Sequence, residues 1–277
     1  MKISVVMVDG EFRENTYGAE YFSKQDFPEA DYEVFWVEYY NQVPESVREQ
    51  EKVTVITLGH SKSEEYHSSL CFNAGIKAAA GELVVIPDAD QIVEPDFLSK
   101  LWEMHQQADN LVIYPYRYDE LENDKLTNLS FEELKRKCVL RNPLNYGGCL
   151  SVRKKWLTEI NGYEQHPFFG TGFHANGLDL YTRFKNLGLA VMWTDKLRLY
   201  HPWHPFTLAD AEQYNVQKMV IDWRFRSIQY MALQGIDAAR NADASEVEQL
   251  VKEKLKAQEN RKQSNQGLVK KLMRKFS

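Results

Sequence analysis

Two carboxylates one residue apart, Asp88 and Asp90, have the type and spacing that most directly indicate chemistry in this sequence. They follow a short apolar run at 83–86, which predicts a buried parallel strand, and open α/β sheets bind ligands at the carboxyl ends of such strands. Residues i and i+2 of an extended segment point to the same side, so both carboxylates are expected to face one cation. Hard divalent ions such as Mg²⁺ or Mn²⁺ take oxygen ligands of this kind. The pair therefore predicts a divalent-cation site, and a surface turn after a strand is the alternative.

The elements that must position this pair alternate along the first half of the chain. Continuous apolar runs predict strands at 3–8, 33–38, 53–58, 83–86 and 111–114. Helices are predicted between them at 63–80, ended by Gly81, and from about 95 to 102. Strands that alternate with helices are typical of βαβ units and a mostly parallel sheet.

The second half is less regular. A capping box, Ser130-x-x-Glu133, predicts a helix that reaches about residue 140. Further helices are predicted at 153–160 and 177–187, and strands at 190–193 and 197–200. From Thr207 the pattern is helical to the end, with pauses at Gly235 and at 263–267.

Composition narrows the class of protein. The 277 residues are 43% hydrophobic and 13% aromatic, as expected for a folded chain rather than a disordered one. No apolar run approaches the roughly 20 residues of a membrane helix, and the N-terminus shows no signal-peptide cleavage region. Cys71, Cys138 and Cys149 are too few and too scattered for a disulfide framework or a zinc cluster. We therefore expect a protein of the reducing cytoplasm.

The net charge of −6 is the sum of two unlike parts. Residues 251–277 contain nine basic and two acidic residues, which leaves −13 on the first 250 residues. Such an acidic body repels nucleic acid, so nucleic acid is not an expected partner. Residues 267–276 place apolar and basic side chains on opposite helical faces, which predicts an interfacial helix on an anionic membrane. A solvated or partner-docked terminal helix is the alternative.

Residues 67–90 resemble the central signature of family 2 glycosyltransferases. The matching features are an Asn-x-Gly that starts at Asn73, an Ala-x-Gly-Glu that ends at Glu82, and the Asp-x-Asp after the following strand. The resemblance implies an α/β protein of the GT-A fold, a Rossmann-like, mostly parallel sheet with flanking helices, here with a helical C-terminal extension. We accordingly expect a nucleotide-sugar-binding half at 1–116, an acceptor-side half of the same domain at 117–206, and a helical extension with a basic amphipathic tail at 207–277.

The resemblance also implies roles on the donor side. In such enzymes the Asp-x-Asp holds Mn²⁺ or Mg²⁺ on the donor diphosphate, which assigns Asp88 and Asp90 to the metal. Asp9 stands in the first nucleotide-contacting loop, and Glu38 replaces the aspartate that meets the base. Nucleotide contacts are expected from Ser68 and Asn73 as well.

A C-terminal histidine often completes the metal shell in GT-A enzymes. Within Tyr200-His-Pro-Trp-His204 we favour His201 as this ligand, while His204 is an alternative ligand or a contact to a donor phosphate. The adjacent glycines Gly147 and Gly148 are expected to let the backbone approach the donor sugar closely.

Residues 146–163 are similar to the acceptor-side segment of galactosyltransferase-like and chondroitin-polymerase-like enzymes. Counting back from Arg183, the acidic Glu-Asp pair of those enzymes falls at Asn176 and Gly177, where neither residue is acidic. An inverting transfer needs a general base for the acceptor hydroxyl. Asp179 is the predicted base, unless it is only a helix-start aspartate, and His174 is the alternative. Retaining chemistry, which needs no base in that place, remains open.

The leading hypothesis is a metal-dependent, hexosyltransferase-type glycosyltransferase that acts by inversion. It moves a sugar from a nucleotide sugar, with UDP favoured, to a glycan or lipid-linked acceptor in surface polysaccharide or glycoconjugate synthesis. We expect it in the cytoplasm, with peripheral attachment to the inner face of the membrane as an option. Two rivals stay open: a catalytically weakened nucleotide-sugar-binding protein on this scaffold, and a phosphohydrolase with Asp88 as nucleophile and Asp90 as acid and base.

Overall fold

A mixed nine-stranded sheet forms the centre of the part of the chain that the structure describes. This computed structural model describes residues 1–170, 175–205 and 211–273, with the backbone alone at 211, 212, 259 and 261–273. The strands are β1 Ile3–Asp9, β2 Tyr32–Glu38, β3 Val53–Thr57, β4 Leu83–Pro87, β5 Ile92–Val93, β6 Leu111–Asp119, β7 Val139–Leu140, β8 Cys149–Arg153 and β9 Ala190–His201. They lie in the order β3-β2-β1-β4-β8-β6-β9-β5, and β7 pairs with β6.

The direction of the strands determines where the polar residues gather. The strands β1, β2, β3 and β4 are parallel, β8 runs antiparallel between β4 and β6, and β9 is parallel to β6. The carboxyl ends of β1, β2, β4, β6 and β9 therefore meet at one edge of the sheet, here called the carboxyl edge. Because β8 is reversed, it begins at this same edge, directly after Gly147 and Gly148.

Helices cover both faces of the sheet and continue into the C-terminal extension. They are α1 Tyr17–Ser23, α2 Glu45–Arg48, α3 Ser68–Ala78, α4 Phe97–His105, α5 Phe131–Lys137, α6 Lys154–Glu159, α7 Asn176–Asn186, α8 Ala211–Ser227 and α9 Ser245–Met273. Alternate residues of β1 serve two cores: Val5 packs in one with Leu98 of α4, and Val6 in the other with Ile76 of α3. At Gly75 a Cβ would lie 2.3 Å from a Val6 methyl group, so glycine permits the close approach of α3 to β1.

The α/β fold with a mostly parallel sheet and flanking helices is confirmed, and several boundaries differ. The strand predicted at 111–114 continues to Asp119, past a register shift after Pro115, and the strands predicted at 190–193 and 197–200 are the single strand β9. The helix after Ser130 ends at Lys137, because residues 139 and 140 pair with β6 instead.

The C-terminal extension differs most from its prediction. Helix α8 ends at Ser227, residues 228–244 are irregular apart from a short 3₁₀ turn, and α9 then runs without a break through 263–267, where a pause was predicted. Val220 and Trp223 of α8 share a core with Val247 and Val251 of α9 and with Phe169, so the extension packs on the second half of the sheet domain. Within the described ranges, none of the helices has the length and apolarity needed to cross a membrane.

Candidate functional site

The acidic pair lies at the carboxyl edge, in the turn after β4. The backbone N–H of Asp88 donates to the carbonyl of Gly148 at 2.8 Å, which joins the turn to the start of β8. Both carboxylates face the guanidinium of Arg13: Nη1 contacts Asp90 Oδ2, and Nη2 lies 3.5 Å from Asp88 Oδ1. The two side chains therefore face one side, as the extended spacing predicts. Asp90 is buried, whereas Asp88 is partly open to solvent.

Two histidines, one at the end of β9 and one three residues later, converge on Asp90. Nε2 of His201 lies 3.8 Å from Asp90 Oδ1, Nε2 of His204 lies 3.6 Å from Asp90 Oδ2, and the two Nε2 atoms are 3.2 Å apart. The other nitrogen of each ring is engaged. Nδ1 of His201 contacts Asp119 Oδ1 at 3.0 Å, and Nδ1 of His204 contacts the carbonyl of Pro205 at 3.0 Å. Because both of these oxygens accept, Nδ1 of each ring carries a proton, and each Nε2 faces Asp90 and the other ring.

These atoms form a donor set that fits a divalent cation. One carboxylate oxygen and one nitrogen from each histidine lie within 4.8 Å of one another at Asp90, His201 and His204. Asp90 Oδ1 is buried and has no hydrogen-bond partner among the described residues, which leaves an acceptor for an ion. Two facing imidazole lone pairs repel each other unless a proton or a metal lies between them. Imidazole ligands also suit Mn²⁺ better than Mg²⁺, which prefers an all-oxygen shell.

Two arginines and one further aspartate complete the cluster, and the sequence interpretation missed all three. Arg13 reaches from the loop after β1, where its Nε lies 3.9 Å from Asp9 Oδ1. Arg117 on β6 lies 2.9 Å from Asp119 Oδ1 and 3.9 Å from Asp88 Oδ2. The name edge cluster is used below for eight residues: Asp9, Arg13, Asp88, Asp90, Arg117, Asp119, His201 and His204.

The charges of the edge cluster shift the ionisation of its members. Burial alone would raise the pKa of Asp90, but Arg13 and the two histidines outweigh burial and hold that pKa below its ordinary value. Burial likewise opposes the charge of Arg13, yet the carboxylates of Asp90, Asp88 and Asp9 raise the pKa of its guanidinium. The hydrogen bond to Asp90 raises the pKa of His204. Asp90 is therefore ionised and ready to bind a cation.

A cavity of about 530 Å³ opens in front of this cluster, a size ordinary for a small-molecule site. Its lining includes Asp88, Asp90, His201 and His204, with Arg13 and Asn176. Gly147 lines it too, and a Cβ there would meet only Asn145 Oδ1, at 3.8 Å, so the backbone itself faces the open space. At Gly148, by contrast, a Cβ would come within 3.2 Å of Asn145 and Gln91, so its small size serves the packing of the turn.

Asp9 and Glu38 are neighbours in register at the ends of β1 and β2, and both are fully buried. Burial raises the pKa of Glu38 to about 7, and the charge of Asp9 adds to the rise. Burial also raises the pKa of Asp9, against the opposing effect of Arg13. The ring of Tyr66 packs against Gly10, the residue after Asp9. A Cβ on Gly10 would lie 2.4 Å from that ring.

The remaining predicted donor contacts hold the scaffold together. Ser68, at the start of α3, accepts a hydrogen bond of 2.7 Å from the amide of Asn176, which lines the cavity. The amide of Asn73 donates to the carbonyl of Tyr163 and accepts from its N–H, at 2.9 and 2.7 Å. Asn73 therefore joins α3 to the loop after α6, and it is not part of the cavity lining.

Asp179, a residue of α7, lies in a separate group of buried charged side chains. Its two oxygens pair with Arg183 at 2.8 Å and with Arg224 of α8 at 2.7 Å, and Arg224 also pairs with Glu164. These four side chains, here called the closed cluster, are at most 1% exposed. This setting favours the structural alternative for Asp179. The alternative base, His174, lies outside the described residues.

The sheet, its flanking helices and the polar carboxyl edge together define a GT-A fold. Residues 43–160 match the family model described as glycosyl transferase family 2. The matched segment runs from before β3 to the end of α6, so it includes Asp88, Asp90 and Asp119 and excludes both histidines.

Solved structures with the same fold are distant in sequence. The crystal structure of S. aureus TarS 1-349 in complex with UDP-GlcNAc has a TM-score of 0.59 and 16% identity, over 92% of this chain and 72% of that one. The complex of TarS 1-349 with UDP has a TM-score of 0.58 and 16% identity, over 92% and 71%. The structure of GalNAc-T7 with UDP, GalNAc and Mn²⁺ has a TM-score of 0.58 and 13% identity, over 82% of this chain and 49% of that one. A comparison with curated protein sequences finds no match.

Proposed function

We propose that this protein is a metal-dependent glycosyltransferase that uses a nucleotide-sugar donor, with UDP as the favoured nucleotide. The observation that carries the proposal is the convergence of Asp90, His201 and His204 at the mouth of a cavity on the carboxyl edge of a GT-A sheet. Structures of TarS with UDP and UDP-GlcNAc, and of GalNAc-T7 with UDP and Mn²⁺, support the choice of nucleotide and of ion class.

In this mechanism the edge cluster provides most of the electrostatic stabilisation. Asp90, His201 and His204 would hold Mn²⁺ or Mg²⁺, with Asp88 beside them, and the ion would neutralise charge on the leaving diphosphate. Asp119 fixes the ring of His201 through Nδ1, which aims Nε2 at Asp90. Gly147 lets the backbone approach the bound sugar. Asp9 and Glu38 are proposed to recognise the nucleoside at the buried ends of β1 and β2.

Deprotonation of the acceptor hydroxyl is the step with the least support among the described residues. Asp179 is held by two arginines in the closed cluster, whereas Asn176, which follows His174 by two residues in sequence, lines the cavity. We therefore favour His174 over Asp179 as the base of an inverting transfer. A His174→Ala variant should lose transfer while it keeps donor binding, and Asp179→Asn should lose stability first.

The second candidate function is a nucleotide-sugar-binding protein without transfer activity. The specific observation in its favour is that the predicted carboxylate base does not face the cavity. Release of UDP from a UDP-sugar in the presence of an acceptor mixture separates the two candidates. Tight binding of UDP without any turnover would favour the binding protein.

Thermal shift with a panel of nucleoside diphosphates, with and without Mn²⁺, tests the donor proposal directly. UDP with Mn²⁺ should raise Tm by several degrees, because a ligand at 100 times its Kd adds about 2.7 kcal/mol to the stability of the folded state. The shift should vanish in Asp90→Ala. It should persist in Asp96→Ala, because Asp96 is an exposed aspartate that follows β5 in the sequence. No response to any nucleotide would remove the proposal.

A membrane-associated acceptor fits the basic tail. Helix α9 is one continuous helix to Met273, so the backbone of residues 267–273 has the conformation that the amphipathic pattern requires. We propose that this segment attaches the enzyme to anionic lipid. Co-sedimentation with phosphatidylserine vesicles should fall when residues 265–277 are deleted, and equal partitioning of the two proteins would refute this part.

A further inference from the structure

The guanidinium of Arg13 occupies the face of the acidic pair that a cation would use. Its side chain is only 11% exposed, and it contacts Asp90 Oδ2 through Nη1, Asp88 Oδ1 through Nη2 and Asp9 Oδ1 through Nε. It is thus an internal counter-ion for three carboxylates from two segments of the carboxyl edge, the end of β1 and the turn after β4. The inference drawn from it rests on the metal site of the proposed function.

A divalent ion and this guanidinium would share the carboxylate of Asp90. Asp90 Oδ2 contacts Arg13 and also lies 3.6 Å from His204, so an ion held by Asp90 and the histidines would lie directly beside the guanidinium. Two cations at such a distance in a buried site repel strongly. Free ion and the guanidinium therefore compete for the charge of the acidic pair.

The cavity offers the guanidinium of Arg13 a second anionic partner. Residues Arg13, Glu14 and Asn15 line the cavity, and the donor diphosphate would lie in that cavity beside the ion. A guanidinium binds phosphate oxygens in pairs, with a geometry that lysine cannot reproduce.

The loop that carries Arg13 is held at both ends. Glu11 has a φ of 56°, and its carboxylate accepts from the N–H groups of Asn41 and Gln42 and pairs with Lys62. At the other end the N–H of Gly18 donates to the carbonyl of Ala89, in the acidic turn itself. Residues 12–16 therefore lie between two fixed points.

We propose that Arg13 is an exchangeable counter-ion that couples metal binding to donor binding. Without donor it rests on Asp88 and Asp90 and weakens the binding of free metal. With donor present it transfers to the diphosphate, which releases the acidic pair to the ion. The metal then binds the protein–nucleotide complex more tightly than the free protein. By the same factor, the nucleotide diphosphate binds the protein–metal complex more tightly than the free protein.

Titration of the full-length protein with Mn²⁺ alone, with UDP alone, and with each in the presence of the other tests this coupling. In Arg13→Gln the affinity for Mn²⁺ without nucleotide should rise about tenfold, and the affinity for UDP in saturating Mn²⁺ should fall by a similar factor. Arg48→Gln, on the surface helix α2, is the matched control and should change neither affinity. Arg13→Lys keeps the charge, so it should restrain Mn²⁺ as the native residue does while it binds UDP less tightly. It also serves if Arg13→Gln does not fold.

Three results would overturn the inference. One is an unchanged or weaker affinity of Arg13→Gln for Mn²⁺ without nucleotide. A second is metal-free binding of UDP by the native protein that disappears in Arg13→Gln, which would make Arg13 a permanent substitute for the ion. A third is an equal synergy between Mn²⁺ and UDP in both proteins. Failure of every variant to bind UDP would instead refute the proposed function, and the titration with Mn²⁺ alone would still decide the role of Arg13.

Discussion

The edge cluster and the closed cluster contain the same kinds of charged side chain and differ in how the charges balance. In the closed cluster two carboxylates, Glu164 and Asp179, pair with two guanidinium groups, so its net charge is zero. Within the edge cluster, as far as the described residues go, four carboxylates face two guanidinium groups, those of Arg13 and Arg117, which leaves a net charge of −2 when the histidines are neutral.

This difference in balance separates structure from function. Burying a charge without a partner is costly, so a structural group of charges is expected to neutralise itself, as the closed cluster does. The edge cluster is short of positive charge by the amount that one divalent ion supplies, and it opens on a cavity. An unbalanced negative charge at an edge that opens on a cavity indicates a charged ligand. A balanced, fully buried group of charges indicates a structural role.

The largest effect is expected from Asp179→Asn, which unbalances the closed cluster. Removing one partner of a buried ion pair leaves an uncompensated charge and costs about 3–5 kcal/mol. Thermal unfolding should show a fall in Tm of roughly 10 °C. Glu20→Gln, which breaks an exposed pair with Lys24 at the same i,i+4 spacing, should change Tm little. A normal Tm together with lost sugar transfer would instead make Asp179 the catalytic base.

The opposite pattern is expected from Asp90→Asn in the edge cluster. The affinity for Mn²⁺, measured by calorimetry, should fall by more than about 100-fold, because even residues that only orient ligands cost 10- to 100-fold. Stability without metal should change by less than about 1 kcal/mol, since Arg13 keeps Asp88 and Asp9 as partners. A fall in Tm as large as that of Asp179→Asn would show that the two clusters do not differ as argued.

Local signals predicted six of the nine described strands, missing β5, β7 and β8, and five of the eight residues of the edge cluster. Apolar runs and the Asp-x-Asp after one of them place Asp88 and Asp90 at the carboxyl edge, and the His-x-x-His after a predicted strand leads to the same place. In both cases the informative residues lie at or just after the carboxyl end of a strand.

Asp119 shows why the rest was missed. Pro115 ends the apolar run of β6, and the register shift after it lets the strand continue through the mixed sequence Tyr116-Arg-Tyr-Asp119. A strand-end carboxylate was therefore assigned to a loop. The pairing of Asp179 was beyond local reasoning as well, because Arg224 is 45 positions away in the sequence and meets Asp179 only when α8 packs on α7. Spacing within one element carries no information about such partners.

An intermediate effect is expected from Asp119→Asn, which keeps the ligands of the proposed ion and removes the charge that orients one of them. Asp119 Oδ1 contacts His201 Nδ1 and lies 2.9 Å from Arg117, so the neutral amide should loosen the ring of His201. We expect a loss of about 10- to 100-fold in affinity for Mn²⁺ with little change in Tm. Asp96→Asn, at an exposed pair with Lys100, is the control, and an equal loss in that variant would contradict the orienting role.

The smallest effect is expected from Glu38→Gln, at a carboxyl group that is buried beside Asp9 and forms no ion pair with a described residue. Burial raises its folded-state pKa from 4.5 to about 7, so between these values the folded protein keeps a proton that the unfolded chain has lost. The free energy of unfolding must then fall as pH rises from about 4.5 to 7, and the loss is complete above that window. Glutamine imitates the protonated acid at every pH, so the Tm of Glu38→Gln should exceed that of the native protein by about 2–4 °C at pH 8 and by much less at pH 5. A difference of the same size at both pH values would show that the substitution acts through packing and not through the buried charge.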